Sequence, residues 1–232
     1  MQRSLHQNKL LSRLPVNEMA DIQPFLEPVE LPQGFIITLP EQAIEYVYFL
    51  EQGLGSIVTV SPEGQKAEAG MFGYEGFSPT PPAVGSAISF HETIMQGAGY
   101  GYKLKLCDLW ALMPLCDTFS EVLHRSAHNL ATQVSYTALS NAVHHVDERL
   151  GRWLLMCHDR LRENEFKLTH EFMALMLAVR RSSVTTSLHV LEGNHFIRSE
   201  RGRITMRNRR GLEEFARDAY GIPEAEYAIL FP

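Results

Sequence analysis

The sequence predicts an α+β chain in three parts: an N-terminal antiparallel β-roll, one long helix, and a C-terminal helical domain closed by a β-hairpin. Three observations predict it. Short apolar runs punctuated by Gly and Pro fill residues 28–106. Residues 117–144 hold neither Pro nor Gly, and their apolar residues fall at three- and four-residue steps. From Leu168 onward, two short amphipathic segments precede two strand-like runs joined at Glu200-Arg201-Gly202.

Composition bounds the function classes. Of 232 residues, 45% are hydrophobic and 21% charged, which suits an ordinary globular chain and excludes a disordered one. No apolar run approaches the ~18–20 residues that span a bilayer. Pro15, Glu18, Asp21, Pro24 and Glu27 interrupt the N-terminal stretch, so no secretory signal is expected. The three cysteines, Cys107, Cys116 and Cys157, form no C-x-x-C pair, which argues against a disulfide framework or thiolate-held zinc. A cytoplasmic protein is expected. The net charge is −6, but positions 180–210 hold eight arginines opposed only by Glu192 and Glu200. An acidic chain with one compact basic window points to a local anionic partner.

Taken in order, the runs Gly34–Leu39, Glu45–Glu51, Leu54–Val60 and Ile88–Met95 read as strands, followed by the Gly- and Tyr-rich Gly97–Leu106. Gln52-Gly53 is expected to turn the chain between Val47–Leu50 and Ser56–Val60 as a hairpin, and Pro62-Glu63-Gly64 to follow the second strand. Gly70–Gly76 reads as a loop, and Ser78-Pro79-Thr80-Pro81-Pro82 can continue neither a helix nor a central strand. The glycines at 70, 73, 76, 97, 99 and 101 belong to turns and a bulged strand, because no phosphate-loop Gly-Lys-Ser/Thr follows them. A compact antiparallel roll is the natural packing of such strands.

The helix over Asp117–His144 carries Phe119, Val122, Leu123, Leu130, Val134, Ala138 and Leu139 as an apolar stripe, about 40 Å long at 1.5 Å per residue. Such a stripe needs a partner surface, and a parallel two-helix dimer seam is expected ahead of an ordinary helix laid on its own domain, with Ser126, Asn129, Gln133 and Ser140 setting the register of the seam. A second helix starts near Asp147 and buries Leu150, Trp153, Leu154, Met156 and Leu161. Thr169 is an N-cap for the next helix, with Glu171 in its first turn. Ala178–Arg181 makes a short joint. The helix after it, from Ser182 to about Leu191, turns Val184, Leu188 and Leu191 inward and stops at Gly193-Asn194.

Helix, short turn, helix and β-hairpin make a winged helix-turn-helix. A major groove is wide enough for one α-helix, whose first-turn side chains reach base edges. Here these are Arg180, Arg181, Ser182, Ser183, Thr185 and Thr186, with His189 further along the exposed face. Arg181 suits a bidentate contact to guanine, worth about 1–3 kcal/mol of discrimination. Arg198, Arg201, Arg203 and Thr169, with His170 beside it, suit the phosphates, which position the protein without reading sequence.

These residues resemble the DNA-binding end of Crp/Fnr-type transcription regulators. The resemblance rests on Leu168–Phe172, Leu177–Val184, Leu188 with Leu191, and Phe196-Ile197 through Gly202–Thr205. It extends to Tyr48–Gly53, which resembles the first β-roll hairpin, and to 117–144 as the dimer helix. The resemblance implies a cyclic-nucleotide-binding-like roll over 1–116, a dimerisation helix over 117–145 and a DNA-binding domain over 146–232. It also implies a homodimer on a two-fold symmetric duplex site, an allosteric roll, and RNA polymerase as a partner. The chain departs from the family twice. Ser182-Ser183 and Thr186 stand where the recognition helix often has Glu-Thr and a second Arg, which implies a different half-site. No arginine lies between Arg13 and Arg125 to fork a nucleotide phosphate, so cyclic AMP is not expected. No cysteine precedes Cys107, which argues against the family's iron–sulfur cluster. Tyr74, Glu75 and His91 are the candidate effector contacts. His124 and His128 share a helix face, but spacing fixes no third ligand, so no metal is expected. A second reading stays open, a small-molecule-binding or catalytic β-roll whose helical tail only dimerises. No Ser-His-Asp or paired-carboxylate pattern supports an enzyme.

Overall fold

A computed structural model describes residues 6–232. They pack as two units, one formed by the chain through Ile57 with Met71–Leu130, the other by Val58–Gly70 with Ala131–Pro232.

In chain order, α1 (Val16–Ile22) is followed by β1 (Glu27–Leu31), β2 (Ile36–Thr38), β3 (Gln42–Ala43) and β4 (Tyr46–Val60), whose end from Val58 onward belongs to the second unit. After β5 (Lys66–Phe72), which belongs to the second unit up to Gly70, come β6 (Ile88–Ser89), β7 (Glu92–Lys105), α2 (Leu106–Leu112) and α3 (Asp117–Val143). The main sheet has the order β1-β7-β4-β5, with β2 also on β7, while β3 pairs with β6. Leu31, Tyr48, Leu50, Ile57, Phe72 and Met95 form one buried cluster, against which Phe35, Ile37 and Leu130 pack. Phe49 lies in a second aromatic cluster, stacked on Phe77 at 5.8 Å and tilted against Phe119 at 6.1 Å.

The sheet corrects one expected turn. Gln52-Gly53 does not reverse the chain, because β4 runs unbroken through it for 15 residues. Gly53 has φ +107°, and a Cβ there would lie 2.9 Å from the Cα of Gly99. A Cβ on Gly99 would in turn lie 1.9 Å from the carbonyl oxygen of Gln52. The glycines let two strands approach closely, a role that β-bulge and turn glycines share in sequence. The real hairpin turn is one step later, where Gly64 N–H donates to Ser61 O at 2.8 Å and Ser61 N–H to Gln65 O at 2.8 Å. Gly70, Met71 and Phe72, expected in a loop, are the last residues of β5, where Met71 and Phe72 are core.

The long helix α3 begins at a buried carboxylate. Glu18 of α1 accepts from the N–H groups of Thr118 (3.1 Å) and Phe119 (2.9 Å), satisfying two of the helix's orphan donors. Phe119, Val122 and Leu123 are buried in the chain's own core. So are Ser126, Gln133 and Ser140, one heptad apart, which corrects their expected place in a helix–helix seam. They sit on the face of the helix that its own chain covers.

The second unit holds the C-terminal part of α3, then α4 (Val146–Leu161), β8 (Glu165–Phe166), α5 (His170–Leu177), α6 (Arg181–Gly193), β9 (Ile197–Glu200), β10 (Arg203–Met206), α7 (Arg209–Ala216) and α8 (Ile222–Leu230). Leu150, Trp153, Leu154, Met156 and Cys157 of α4 are buried, whereas Leu161 is half-buried. The buried Arg152 of α4 donates to Thr137 Oγ1 of α3 at 3.1 Å, and Trp153 Nε1 donates to Glu68 Oε1 at 2.9 Å. A C-terminal strap ties back onto α4. Tyr220 donates its hydroxyl to Asp159 at 2.6 Å, Arg209 pairs with Asp159 at 2.7 Å, and Thr132 of α3 donates to Glu226 of α8 at 2.9 Å. Among the described residues no helix is long and apolar enough to cross a membrane.

Candidate nucleic-acid interface

The site is built from α5, α6 and the wing. Thr169 caps α5, its hydroxyl accepting from Phe172 N–H at 3.1 Å, as its position before the apolar run requires. The helix ends at Ala178, which takes the left-handed conformation at φ +50°. Val179 N–H then returns to Ala174 O at 3.0 Å, so three residues, 178–180, suffice for the joint. Helix α6 starts at Arg181, one residue earlier than its periodicity suggests, and Val184, Leu188 and Leu191 are fully buried under it. Its opposite face exposes Arg181, Ser182, Thr186 and His189, with Ser183 and Thr185 half-buried.

Within that face the groups differ in how far they are already engaged. Arg181 Nε lies 2.7 Å from Glu171 Oε1, with both side chains 65% exposed. Thr185 donates to Arg181 O (3.2 Å) and Thr186 to Ser182 O (3.1 Å), so their hydroxyl protons are spent on the helix backbone. His170 Nδ1 lies 3.0 Å from the Thr185 oxygen, which is left to accept its N–H. Among the described residues the Ser182 and Ser183 hydroxyls make no hydrogen bond and Arg180 no ion pair. Among the described residues the start of α6 therefore presents one uncommitted guanidinium, that of Arg180 at its N-cap, and two uncommitted hydroxyls in its first turn.

The wing is a three-stranded sheet, β8-β10-β9, whose first strand escaped the sequence reading because two residues are too few to show a period. Pairing of Arg203 with Glu200, Thr205 with Arg198 and Met206 with Ile197 fixes its faces. Ile197, Ile204 and Met206 are buried, whereas Arg198 and Arg203 stand exposed on the other side. Arg198 pairs with Glu200 at 2.8 Å and Arg203 with Glu165 at 3.2 Å, all in water-exposed positions. Arg201 at the tip makes no ion pair among the described residues. Sequence reasoning missed the carboxylates of Glu165 and Glu171, since nothing local pairs them with their arginines. Arg207, counted in the sequence only as part of the basic window, alternates at two-residue steps with Arg203 and Thr205.

The three effector candidates sit in different surroundings. Tyr74 and Glu75 lie in the turn after β5, where Tyr74 O accepts from Lys9 N–H at 2.7 Å. His91 forms the turn between β6 and β7, its carbonyl accepting from Thr38 and Ser89 hydroxyls. Among the described residues no hydrogen bond or ion pair joins His91 to Tyr74 or Glu75, and no group of three or more His, Cys, Asp or Glu could hold a metal.

Comparison with known proteins agrees with this geometry. Residues 148–215 match the family model of a Crp-like helix-turn-helix domain. A Crp/Fnr-family transcriptional regulator from Eubacterium rectale superposes with a TM-score of 0.69 at 17% identity, covering 89% of this chain and 97% of that one. FixK2 from Bradyrhizobium japonicum gives 0.66 at 15% identity, over 82% and 96%. A Crp/Fnr regulator from Thermus thermophilus gives 0.64 at 19% identity, over 82% and 98%. These likenesses establish the fold. Among curated proteins no relative matches the sequence.

Proposed function

We propose that this chain, a protein of Crp/Fnr fold whose residues 148–215 are a Crp-like helix-turn-helix domain, is a dimeric transcription regulator that binds duplex DNA at a specific sequence. One observation carries the reading: α6 buries its apolar side and turns a polar first turn outward, beside a wing edged with guanidinium groups. In this reading Arg180, Arg181, Ser182, Ser183, Thr185 and Thr186 face base edges, and Thr169, His170, Arg198, Arg201 and Arg203 hold phosphates. Contacts of the first kind discriminate between sequences, and those of the second add affinity for any duplex.

Residues 1–116 form the sensory roll, 117–145 the dimerisation helix and 146–232 the DNA-binding domain. With Ser126, Gln133 and Ser140 turned inward, the seam runs along Ala127, Ala131, Val134 and Ala138, spaced 4, 3 and 4 and left half-buried or exposed. Small side chains there let two helices close on each other. Two heads about 34 Å apart would then meet half-sites one helical turn apart. An effector other than cyclic AMP, contacting Tyr74, Glu75 or His91, acts by binding one head orientation better than the other. The protein works in the cytoplasm with RNA polymerase and is not an enzyme.

The test has two arms. Selection from random duplex DNA should enrich one two-fold symmetric sequence, and the logarithm of affinity should fall steeply with log salt. A chain that binds no duplex at low salt favours instead a ligand-binding roll with a helical tail. Val134→Glu should give a monomer by sedimentation equilibrium and lose the symmetric site.

A further inference from the structure

We infer that the root of the wing holds a second phosphate-binding site, formed by Arg207 and Arg198 with His195, which extends the duplex contact beyond the recognition helix. The inference rests on the DNA-binding reading above and adds residues to it.

The strand register carries the argument. Arg198 pairs with Thr205, and Arg207 N–H donates to Phe196 O at 2.9 Å, one step further down the same ladder. Side chains two apart share a sheet face. Arg203, Thr205 and Arg207 therefore stand on one face of β10 and its extension, with Arg198 and Glu200 beside them on β9. From Arg203 at the tip to Arg207 at the root is four residues, or about 14 Å of strand. A stripe of that length is long enough to meet more than one phosphate of a duplex backbone.

At its root the stripe opens into a cleft of about 460 Å³ lined by Glu192, His195, Ile197, Arg198 and Arg207. The cations there are available. Arg207 is exposed and makes no ion pair among the described residues. Among the described residues Arg198 is held only by the exposed Glu200, a pair that yields readily to a phosphate. The one carboxylate in the lining, Glu192, is engaged by Ser199 N–H at 3.0 Å, which offsets part of its charge. The cleft sits at the C-terminal end of α6, whose 13 residues span about 20 Å. A major groove is about 12 Å wide. With the first turn of α6 at the base edges, the far end of a helix crossing the groove overhangs the bordering backbone, where phosphates and not bases are met.

The full-length protein is titrated by fluorescence anisotropy with a labelled 30-base-pair duplex of random sequence, over a series of potassium chloride concentrations. Arg207→Ala should weaken binding three- to tenfold at low salt and lower the log–log salt slope by about 0.9 per head, and Arg207→Lys should restore the slope. The loss should be equal on the selected site and on random duplex, unlike that of Arg181→Ala. Lys105→Ala, a charge removed from the roll, controls for net charge and should change neither quantity. An Arg207→Ala protein that keeps the wild-type slope and affinity, while Arg203→Ala loses both, overturns the root site and leaves the DNA reading standing. Wild-type protein that binds no duplex overturns both.

Discussion

Arg181 is the residue assigned to read guanine, yet it is paired with Glu171, and removing that carboxylate tests how the pair is used. The pair has good geometry, 2.7 Å between Nε and Oε1, but both side chains are 65% exposed. Two unit charges at 4 Å attract by about 1 kcal/mol in water, and measured exposed pairs contribute about 0.2–1 kcal/mol. A guanine fork is worth about 1–3 kcal/mol. If Arg181 reads guanine as proposed, the fork outweighs the pair, and DNA binding opens it at a small cost. Glu171→Gln removes that cost and one anion near the phosphates. Affinity for the selected site should rise by up to about fivefold, the equivalent of about 1 kcal/mol. Arg181→Ala alone should lower specific affinity by five- to 150-fold, by the same conversion of the fork's worth. In the Arg181→Ala background, Glu171→Gln should retain only the salt-dependent part of its gain, because the guanidinium it released is absent. Anisotropy titrations of all four proteins at several salt concentrations complete the cycle. A tenfold loss of specific affinity in Glu171→Gln would refute the reasoning, since Glu171 would then be holding Arg181 in its reading pose or contacting a base itself.

Four further outcomes follow from the packing. Leu188→Ala, at a site 1% exposed, should cost about 2–5 kcal/mol in urea unfolding of the C-terminal unit and abolish DNA binding through the fold. Tyr220→Phe removes the hydroxyl between Asp159 and Arg209, leaves their 2.7 Å ion pair, and should cost about 1–2 kcal/mol by the same assay. His6 is buried with Nδ1 3.1 Å from Glu51 Oε1 and Nε2 3.0 Å from Gln23 Oε1, and its hydrogen bond to Glu51 raises its pKa against the opposing effect of burial. A raised folded pKa stabilises fully below the unfolded value of about 6.5 and loses that contribution as pH rises through the folded value. Melting temperature should therefore fall with rising pH in that window more steeply for wild type than for His6→Gln. Equal slopes would count against the buried pair. Finally, only Cys107 is exposed, whereas burial pushes the thiols of Cys116 and Cys157 up. One thiol per chain should react quickly with an aromatic disulfide reagent in native protein, and all three in guanidinium.

The elements of the candidate interface were legible because their signals are local. Thr169 before an apolar run marks a helix start, and the 4,3 spacing of Val184, Leu188 and Leu191 tells which side of α6 must be covered. The unbroken period of 117–143 marks α3 to within a residue of its ends. Each of these depends on backbone geometry and the nearest turn of chain. The missed features depend on partners far away in sequence. Gly53 looks like a turn residue whether the chain reverses there or another strand's Gly99 presses against it. Ser126, Gln133 and Ser140 keep the same heptad spacing whether they face a second helix or, as they do, the chain's own interior.

The amino-acid order by itself determined which segments would be helical or extended, which side chains each must bury, and that one arginine-rich window would be left facing water. Tertiary structure alone decided which carboxylates those guanidiniums meet and which stay open: Glu171 and Glu165 claim Arg181 and Arg203, while Arg180, Arg201 and Arg207 are left unclaimed among the described residues. The physical reason is range. Periodicity and capping act over one turn or one strand step, but an ion pair forms wherever folding brings two charges within about 4 Å, however distant they are along the chain.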